Sequence, residues 1–129
     1  LSNTSIAVWG LAFKPNTDDV REAPAFVLIE ALIKEGVKIS VYDQEAMENT
    51  KLHFGDKIEY CEDMYSCCKD KDALVIVTEW NSFRNPNFDK LKGLLKHNIV
   101  FDGRNLFQPE DMAQIGFEHY PVGRGFSKL

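Results

Sequence analysis

Two basic side chains follow apolar runs that end in turns, a position that suits the binding of an anion. Lys14 comes after the run at residues 6–9 and Gly10, and Arg104 comes after the run at residues 99–101. If both runs are parallel strands of one sheet, their carboxyl ends share the edge where nucleotides and phosphates bind in open α/β folds. A lysine and an arginine there would neutralise a pyrophosphate, and the arginine offers paired hydrogen bonds. The alternative is that both are solvated loop charges, which contribute little free energy.

Strand-like and helix-like segments alternate along the chain that must position these cations. The continuous apolar run at residues 73–77 is typical of a strand covered on both faces, and we expect it in the middle of the sheet. The residue pattern predicts strands at residues 6–9, 37–42, 58–60 (a minor edge strand), 73–77, 99–101 and 117–120. It predicts helices at residues 23–35, 62–69 and 109–115, and one whose apolar side carries Phe88, Leu91, Leu94 and Leu95. Residues 44–56 are polar and predict no clear element.

This alternation favours right-handed crossovers between parallel strands. The expected fold class is therefore α/β, a Rossmann-like three-layer sandwich with a mostly parallel sheet. The length of 129 residues suits a single domain over residues 1–129. Because the chain begins without Met and enters its first strand within a few residues, we expect it to be a domain of a longer polypeptide.

The charge balance argues against several classes of partner. Fifteen Lys and Arg stand against 20 Asp and Glu, giving a formal net charge of −5. An acidic protein is not expected to bind nucleic acid or acidic membranes generically, so any anion site must be local. No apolar run approaches the roughly 20 residues of a membrane span. The chain is expected to be soluble and cytoplasmic, without a nucleic-acid or membrane partner.

The three cysteines do not form a recognisable metal or disulfide motif. Cys61, Cys67 and Cys68 give an odd count, with no CxxC pair and no histidine at zinc spacing. Reduced structural thiols are the expected state. A nucleophilic role for Cys61 or Cys67 stays open, although nothing nearby in sequence supplies a base.

A dinucleotide-binding domain meets an obstacle at the first turn. The fingerprint GxGxxG lets a pyrophosphate sit on a helix amino terminus, but here the turn reads GLAFKPNTDD, with one glycine and the bulky Phe13. Asp43, at the end of the second predicted strand, does match the position that binds ribose. Primary binding of NAD by this domain alone is therefore not expected.

A phosphoacceptor receiver domain shares the same alternation of strands and helices. It would place adjacent carboxylates after the first strand, and Asp18 and Asp19 are adjacent. However, they follow a long turn, and the central strand ends in Thr78 and Glu79 where the acceptor aspartate belongs. We expect Asp18 and Asp19 instead to favour the amino-terminal end of the next helix electrostatically.

Four motifs carry a resemblance to a known family. GLAFKPNTDDVREAP, VYDQEA, VIVTEWNSF and IVFDGRN occur in this order over about a hundred residues. The combination closely resembles the carboxyl-terminal domain of the nucleotide-sugar dehydrogenases, the UDP-glucose 6-dehydrogenases in particular. The resemblance implies an enzyme that oxidises the sugar C6 alcohol twice with two NAD to give UDP-glucuronate, and a domain that completes the UDP-sugar site.

The resemblance also implies roles for four residues. Phe13 and Lys14 would contact the substrate, Arg104 would bind it through the FDGR motif, and Arg21 would reach the NAD cofactor. The family's catalytic cysteine, its supporting lysine and the GxGxxG turn belong to earlier domains, so no catalytic residue is expected here and the chain alone is expected to be inactive. The implied partners are a UDP-sugar, the amino-terminal and central domains of the same polypeptide, and further copies of the enzyme in a homo-oligomer. The amino-terminal domain would bind most of the NAD.

Two alternatives remain open from the sequence. The enzyme could act on another nucleotide sugar, such as UDP-N-acetylmannosamine or GDP-mannose, although the TEW motif leans toward UDP-glucose. The chain could also be a stand-alone nucleotide-binding regulatory module that keeps the fold without the chemistry.

Overall fold

The protein folds around one six-stranded sheet in which all neighbouring strands are parallel. The structure is a computed structural model and describes residues 4–11, 24–43, 46–77, 83, 86–102, 107 and 109–121. The strands are β1 (Ser5–Trp9), β2 (Lys38–Tyr42), β3 (Glu59–Tyr60), β4 (Ala73–Ile76), β5 (Ile99–Asp102) and β6 (Glu118–Pro121). The described helices are α1 (Pro24–Lys34), α2 (Met47–Phe54), α3 (Phe88–Leu94) and α4 (Pro109–Gln114). The strand order is β3-β2-β1-β4-β5-β6.

β4, the strand that the sequence predicts in the middle of the sheet, lies at its centre beside β1. β1 and β4 are the third and fourth strands of the order, and they pair in parallel with Ala7 opposite Leu74. All four residues of β4 are buried. A strand with helices on both faces has no side that faces water, so its sequence is continuously apolar rather than alternating.

Side chains from the two faces of the sheet enter two separate cores. On one face, the buried cluster joins strand residues to α1 and α2, and its members include Ile6, Val8, Ile29, Val41, Phe54 and Val75. On the other face, the cluster joins strand residues to α3 and α4, and its members include Ala7, Trp9, Leu74, Leu91, Val100 and Met112. The predicted Rossmann-like three-layer sandwich is therefore confirmed.

The first helix follows its sequence signals closely. It was expected over residues 23–35 and spans Pro24–Lys34. Gly36 ends it with a φ of +80°, a value that glycine adopts without a steric penalty, while its amide donates to the Ile33 carbonyl at 3.0 Å. Ile29 is fully buried against the sheet, whereas Val27 on the outer side is 69% exposed.

The structure corrects two expectations about the segment between β2 and β4. The polar stretch for which no element was predicted contains α2, whose pattern is weak because Leu52 is 87% exposed while Thr50 and Phe54 are buried. The helix predicted over residues 62–69 is reduced to one 3-10 turn at Ser66–Cys68. The Asp63 side chain accepts the Tyr65 amide at 2.9 Å, a local hydrogen bond that competes with a helical start.

Within the described part of the chain, no helix combines the length and the apolar character needed to cross a lipid bilayer.

We expect the central strand to carry much more of the stability than the outer face of α2. Leu74→Ala removes a side chain that is 1% exposed and should lower the free energy of unfolding by roughly 2–5 kcal/mol. Leu52→Ala makes the same chemical change at an exposed position and should alter it by no more than about 0.5 kcal/mol. Urea denaturation of both variants measures the difference. Equal losses would show that Leu74 does not lie in the core.

Candidate functional site

The order of the sheet reverses between β1 and β4, and this creates a crevice at the carboxyl ends of the strands. From β1 the chain proceeds to β2 and β3 on one side, and from β4 to β5 and β6 on the other. The Val77 amide donates to the Trp9 carbonyl at 3.0 Å and the Gly10 amide donates to the Tyr42 carbonyl at 2.8 Å, so the ends of three strands are level. In open α/β sheets, ligands bind in the crevice outside such a switch point.

The predicted site residues follow strands that end at this edge. Their own positions lie outside the described residues: Phe13, Lys14, Arg21 and Arg104, together with Asp18, Asp19, Thr78, Glu79 and Trp80. The structure describes the strand ends that precede two of them in sequence, since Leu11 lies three positions before Lys14 and Asp102 lies two positions before Arg104. The roles expected for Phe13, Lys14, Arg21 and Arg104 therefore stay predictions.

Asp43 ties the loop after β1 to the loop after β2. Asp43 is 1% exposed, and its carboxylate oxygens accept the Leu11 amide at 2.8 Å and the Ala46 amide at 2.9 Å. Ala46 precedes α2, so the carboxylate also lies at the positive end of that helix. Gly10, between β1 and Leu11, has a φ of +95°, which lets the chain turn toward Asp43.

This geometry bears on the ribose-binding position that Asp43 matches in sequence. A carboxylate that binds a dinucleotide ribose has to present its oxygens to the ligand. In this structure both oxygens of Asp43 are buried against backbone amides. Asp43 therefore does not fit a ribose site, in agreement with the incomplete glycine fingerprint of the first turn.

A second buried carboxylate lies at the same edge of the sheet, at the end of β5. Asp102, the last residue of β5, is fully buried, and its Oδ2 accepts the Phe107 amide at 2.9 Å. The same oxygen lies 3.0 Å from Nε2 of His119, whose side chain is 2% exposed. The Asp102 carboxylate thus contacts both Phe107, five positions further along the chain, and His119 of the neighbouring strand β6.

His119 was not singled out in the sequence, although a signal was present. In the segment from Phe117 to Tyr120, burial alternates: Phe117 is buried, Glu118 is exposed, the His119 side chain is buried and Tyr120 is exposed. A period of two in a strand puts His119 on the inner face. A polar residue at an inward position of a predicted strand implies a buried hydrogen-bond partner.

Aromatic rings pack together on the α3 side of the sheet, at the carboxyl ends of β1 and β2. Trp9 stacks on Phe83 with ring centroids 5.1 Å apart, and its indole nitrogen donates to the Met64 carbonyl at 2.9 Å. Tyr42 meets the edge of Phe83 at 6.2 Å. Phe83 belongs to the VIVTEWNSF motif and is fully buried. The Phe83 ring therefore packs against the last residues of β1 and β2.

The three cysteines are free and buried near the second core, as expected of structural thiols. A hydrogen bond from Cys67 lowers the pKa of the Cys61 thiol, although burial and Glu59 oppose the shift. Donation of that bond, together with burial, raises the pKa of the Cys67 thiol, and burial raises the pKa of Cys68 to about 12. Cys67 and Cys68 are therefore poor nucleophiles at neutral pH.

Across the described residues, no group of three or more His, Cys, Asp or Glu side chains is arranged to hold a metal ion.

The parallel sheet with its switch point defines an α/β domain of the Rossmann-like class. The chain belongs to the UDP-glucose/GDP-mannose dehydrogenase family, UDP binding domain, which matches residues 7–109. The match begins in β1 and ends at the first residue of α4, so it takes in the carboxyl ends of five of the six described strands.

Known relatives agree with this membership. The chain is 41% identical over 125 residues to the UDP-glucose 6-dehydrogenase of Pseudomonas aeruginosa, a match that covers 93% of this chain and 28% of that protein. A solved UDP-glucose dehydrogenase from Pyrobaculum islandicum has a TM-score of 0.79 and 30% identity, covering 95% of this chain and 26% of that one. A UDP-D-ManNAc dehydrogenase from Pyrococcus horikoshii has a TM-score of 0.74 and 27% identity, covering 97% and 27%. The chain therefore spans only about a quarter of the length of these relatives.

Removing the Asp43 carboxylate should destabilise the protein because two buried amides lose their acceptor. We expect Asp43→Ala to lower the free energy of unfolding by about 3 kcal/mol. Asp63→Ala is the matched control, since Asp63 also accepts a backbone amide, at 2.9 Å, but in an exposed position, and should cost less than about 1 kcal/mol. Equal effects in urea denaturation would contradict the bridging role of Asp43.

Cys61 should be the first thiol to react in the native protein. Because its pKa is lowered, its thiolate forms at lower pH than an ordinary thiol, whereas Cys68, with a pKa of about 12, stays protonated. Alkylation with iodoacetamide at a series of pH values, read by mass spectrometry, should label Cys61 first. Cys67→Ala removes the hydrogen bond and should move the onset of Cys61 labelling to higher pH. Labelling of Cys68 before Cys61 would overturn this assignment.

Proposed function

We propose that this chain is the UDP-binding domain of a UDP-glucose 6-dehydrogenase and that the carboxyl edge of its sheet holds the uridine diphosphate of the substrate. The observation that carries the proposal is the family match over residues 7–109, which includes the switch point between β1 and β4. The 41% identity to a UDP-glucose 6-dehydrogenase supports glucose as the sugar.

Lys14 and Arg104 neutralise the pyrophosphate in this proposal, and Phe13 contacts the substrate beside Lys14. β1 and β5 are separated by β4 alone. Neighbouring strands lie about 4.8 Å apart, so the ends of β1 and β5 are roughly 10 Å apart. This short separation favours one diphosphate that both Lys14 and Arg104 contact, and an arginine can make paired hydrogen bonds to its oxygens.

NAD binds mainly elsewhere in this proposal. Asp43 is engaged by backbone amides, and the sequence of the first turn has a single glycine, so neither of these two positions offers what a dinucleotide site of this fold uses. We place the cofactor on an amino-terminal domain of the same polypeptide, with Arg21 reaching it across the domain boundary. The complete enzyme, a cytoplasmic homo-oligomer in this proposal, would oxidise UDP-glucose to UDP-glucuronate with two NAD when that cofactor is bound.

A second candidate substrate is another UDP-sugar. The similarity to a UDP-D-ManNAc dehydrogenase, with a TM-score of 0.74, supports this alternative. Both candidates share the uridine diphosphate, so the site proposed for this chain is the same in each case. Comparing the turnover of UDP-glucose and UDP-N-acetylmannosamine by the multidomain enzyme distinguishes them.

Calorimetric titration of the chain with UDP tests the proposed site. Lys14→Ala and Arg104→Ala should each weaken UDP binding about 10- to 100-fold, the effect of losing a charged hydrogen bond worth roughly 1.5–3 kcal/mol. Lys38→Ala and Arg21→Ala are matched controls and should leave the affinity for UDP unchanged. Lys38 is an exposed lysine at the amino-terminal end of β2, and Arg21 is assigned to NAD.

The controls decide between a site and a general charge effect. If Lys38→Ala weakens binding as much as Lys14→Ala, the attraction is diffuse and the assignment of Lys14 fails. An unchanged affinity in both Lys14→Ala and Arg104→Ala would remove the pyrophosphate from this edge. No saturable heat with the wild-type chain would contradict UDP binding by this chain.

A further inference from the structure

Two of the three cysteines are held beside neighbouring strands of the sheet. The Cys61 amide donates to the Val41 carbonyl of β2 at 3.0 Å, and the Cys67 thiol faces the Val8 carbonyl of β1 at 4.0 Å. Val8 and Val41 lie opposite each other in the parallel pair of β1 and β2. Because neighbouring strands are about 4.8 Å apart, the two cysteines are anchored to adjacent points of the sheet.

The thiols of Cys61 and Cys67 also contact each other. The two side chains are hydrogen-bonded, and both residues belong to the buried cluster on the α3 side of the sheet. The third thiol has a different partner, since Cys68 donates to the Met64 carbonyl at 3.6 Å. A disulfide requires two sulfurs that can approach to about 2.05 Å. Among the three cysteines, Cys61 and Cys67 are therefore the pair placed to form one.

Cys61 is the member of this pair that solvent reaches. Cys61 is 9% exposed, whereas Cys67 and Cys68 are fully buried. The hydrogen bond from Cys67 lowers the pKa of the Cys61 thiol and so favours the thiolate, which is the reactive form. The Cys61 thiol also lies 3.7 Å from Oε1 of Glu59, and Glu59 lines an open cavity of about 520 Å³. Cys61 therefore combines reactivity with access.

We propose that Cys61 and Cys67 are a redox-active dithiol, which hydrogen peroxide converts into a disulfide, and that this bond acts on the end of β1. First, the Cys61 thiolate attacks one peroxide oxygen, the O–O bond breaks, and the departing hydroxide takes up the proton that the thiol released. Next, the Cys67 sulfur attacks the sulfenic acid formed on Cys61, the S–O bond breaks, and the Cys67 proton leaves with the hydroxide. Two thiols and one peroxide thus give one disulfide and two waters, with both electrons accepted by the peroxide.

The disulfide closes a turn that contacts the carboxyl end of β1. The Met64 carbonyl, inside this turn, accepts the indole N–H of Trp9 at 2.9 Å. The Tyr65 ring meets the Trp9 ring edge-on, with centroids 6.5 Å apart. Trp9 is the last residue of β1 and is fully buried. The oxidation state of the two cysteines therefore reaches the edge of the sheet through Trp9.

The pairing is tested by identifying the disulfide after peroxide treatment. The folded chain is oxidised, quenched with catalase, unfolded, alkylated with iodoacetamide and cleaved after Glu62, which separates Cys61 from the other two cysteines. Mass spectrometry with fragmentation should show the loss of two of the three free thiols, a bond between Cys61 and Cys67, and an alkylated Cys68. Dithiothreitol should restore all three thiols.

Two outcomes of this measurement would overturn the proposal. The first is a disulfide that joins any other two cysteines. The second is the same mixture of pairings as in a chain oxidised after unfolding in urea, because the folded structure would then not direct the reaction.

Three variants separate the two chemical steps. Cys67→Ser keeps a hydroxyl donor beside Cys61 but cannot close the disulfide, so peroxide should leave a sulfenic acid on Cys61 that dimedone traps. Cys61→Ser removes the first nucleophile, and the remaining thiols should stay reduced at a peroxide dose that fully oxidises the wild type. Cys68→Ala is the matched control, since it removes a buried thiol outside the pair and should form the disulfide as the wild type does.

The variants can also contradict the assignment. Oxidation of Cys61→Ser as fast as the wild type, or no disulfide in Cys68→Ala, would overturn it. If a variant does not fold, the pairing found in the wild-type chain still decides.

NMR of the isotope-labelled chain tests the effect on β1. The indole N–H signal of Trp9 should shift when the disulfide forms and return after dithiothreitol, while peroxide should leave it in place in Cys61→Ser. An unchanged Trp9 signal in the fully disulfide-bonded chain would overturn the action on β1. Neither measurement contains UDP, so a failure of the proposed nucleotide site and a failure of this proposal are distinguishable.

Discussion

Six parallel strands place every loop that follows a strand on one edge of this sheet, and the rest of the structure depends on that constraint. Hydrogen bonds between Val77 and Trp9 and between Gly10 and Tyr42 bring the ends of β4, β1 and β2 to one level. Residues that are far apart in sequence, such as Lys14 and Arg104, follow strands that end there. In the function that we propose, loops that follow separate strands supply a local basic site in a protein whose net charge is −5.

A buried aspartate lies at the end of a strand at two places along this edge. Asp43 follows β2 and accepts the amides of Leu11 and Ala46, and Asp102 ends β5 and accepts the amide of Phe107. In both cases the negative charge faces backbone donors within the protein. The two carboxylates thus hold the backbone amides of Leu11, Ala46 and Phe107 at this edge. In the function that we propose, the anionic ligand is bound by basic residues that follow the same strands.

The sequence predicts the elements whose burial leaves a clear pattern. β1 and β4 are continuous apolar runs because helices cover both faces, and α1 is bounded by Pro24 and Gly36. α2 was missed because its exposed Leu52 disrupts any apolar stripe, and its start depends on a hydrogen bond from Ala46 to Asp43 that a local pattern does not contain. The region around Ser66 was overpredicted because the Asp63 side chain competes for the backbone.

The candidate site, too, is predictable from the sequence only in part. The residue types and the strand ends predict an anion at the carboxyl edge of the sheet, and the family match supports that interpretation, while the roles of the individual residues stay predictions. The role of Asp43 was not predictable, since an acidic residue at this position suggested ribose and only the fold brings Leu11 to it. The contact between Asp102 and His119 joins residues from two neighbouring strands, and pairing of those strands becomes visible only in the assembled sheet.

The central claim is that the carboxyl edge of the sheet binds a uridine diphosphate. Titration of the isotope-labelled chain with UDP, followed by amide chemical shifts in NMR spectra, tests it most directly. The account predicts saturable shifts at the strand ends, at Gly10, Leu11, Val77 and Phe107. Saturable shifts confined to the opposite edge, around Lys38 and Asp72, or no saturable shifts at all, would contradict it.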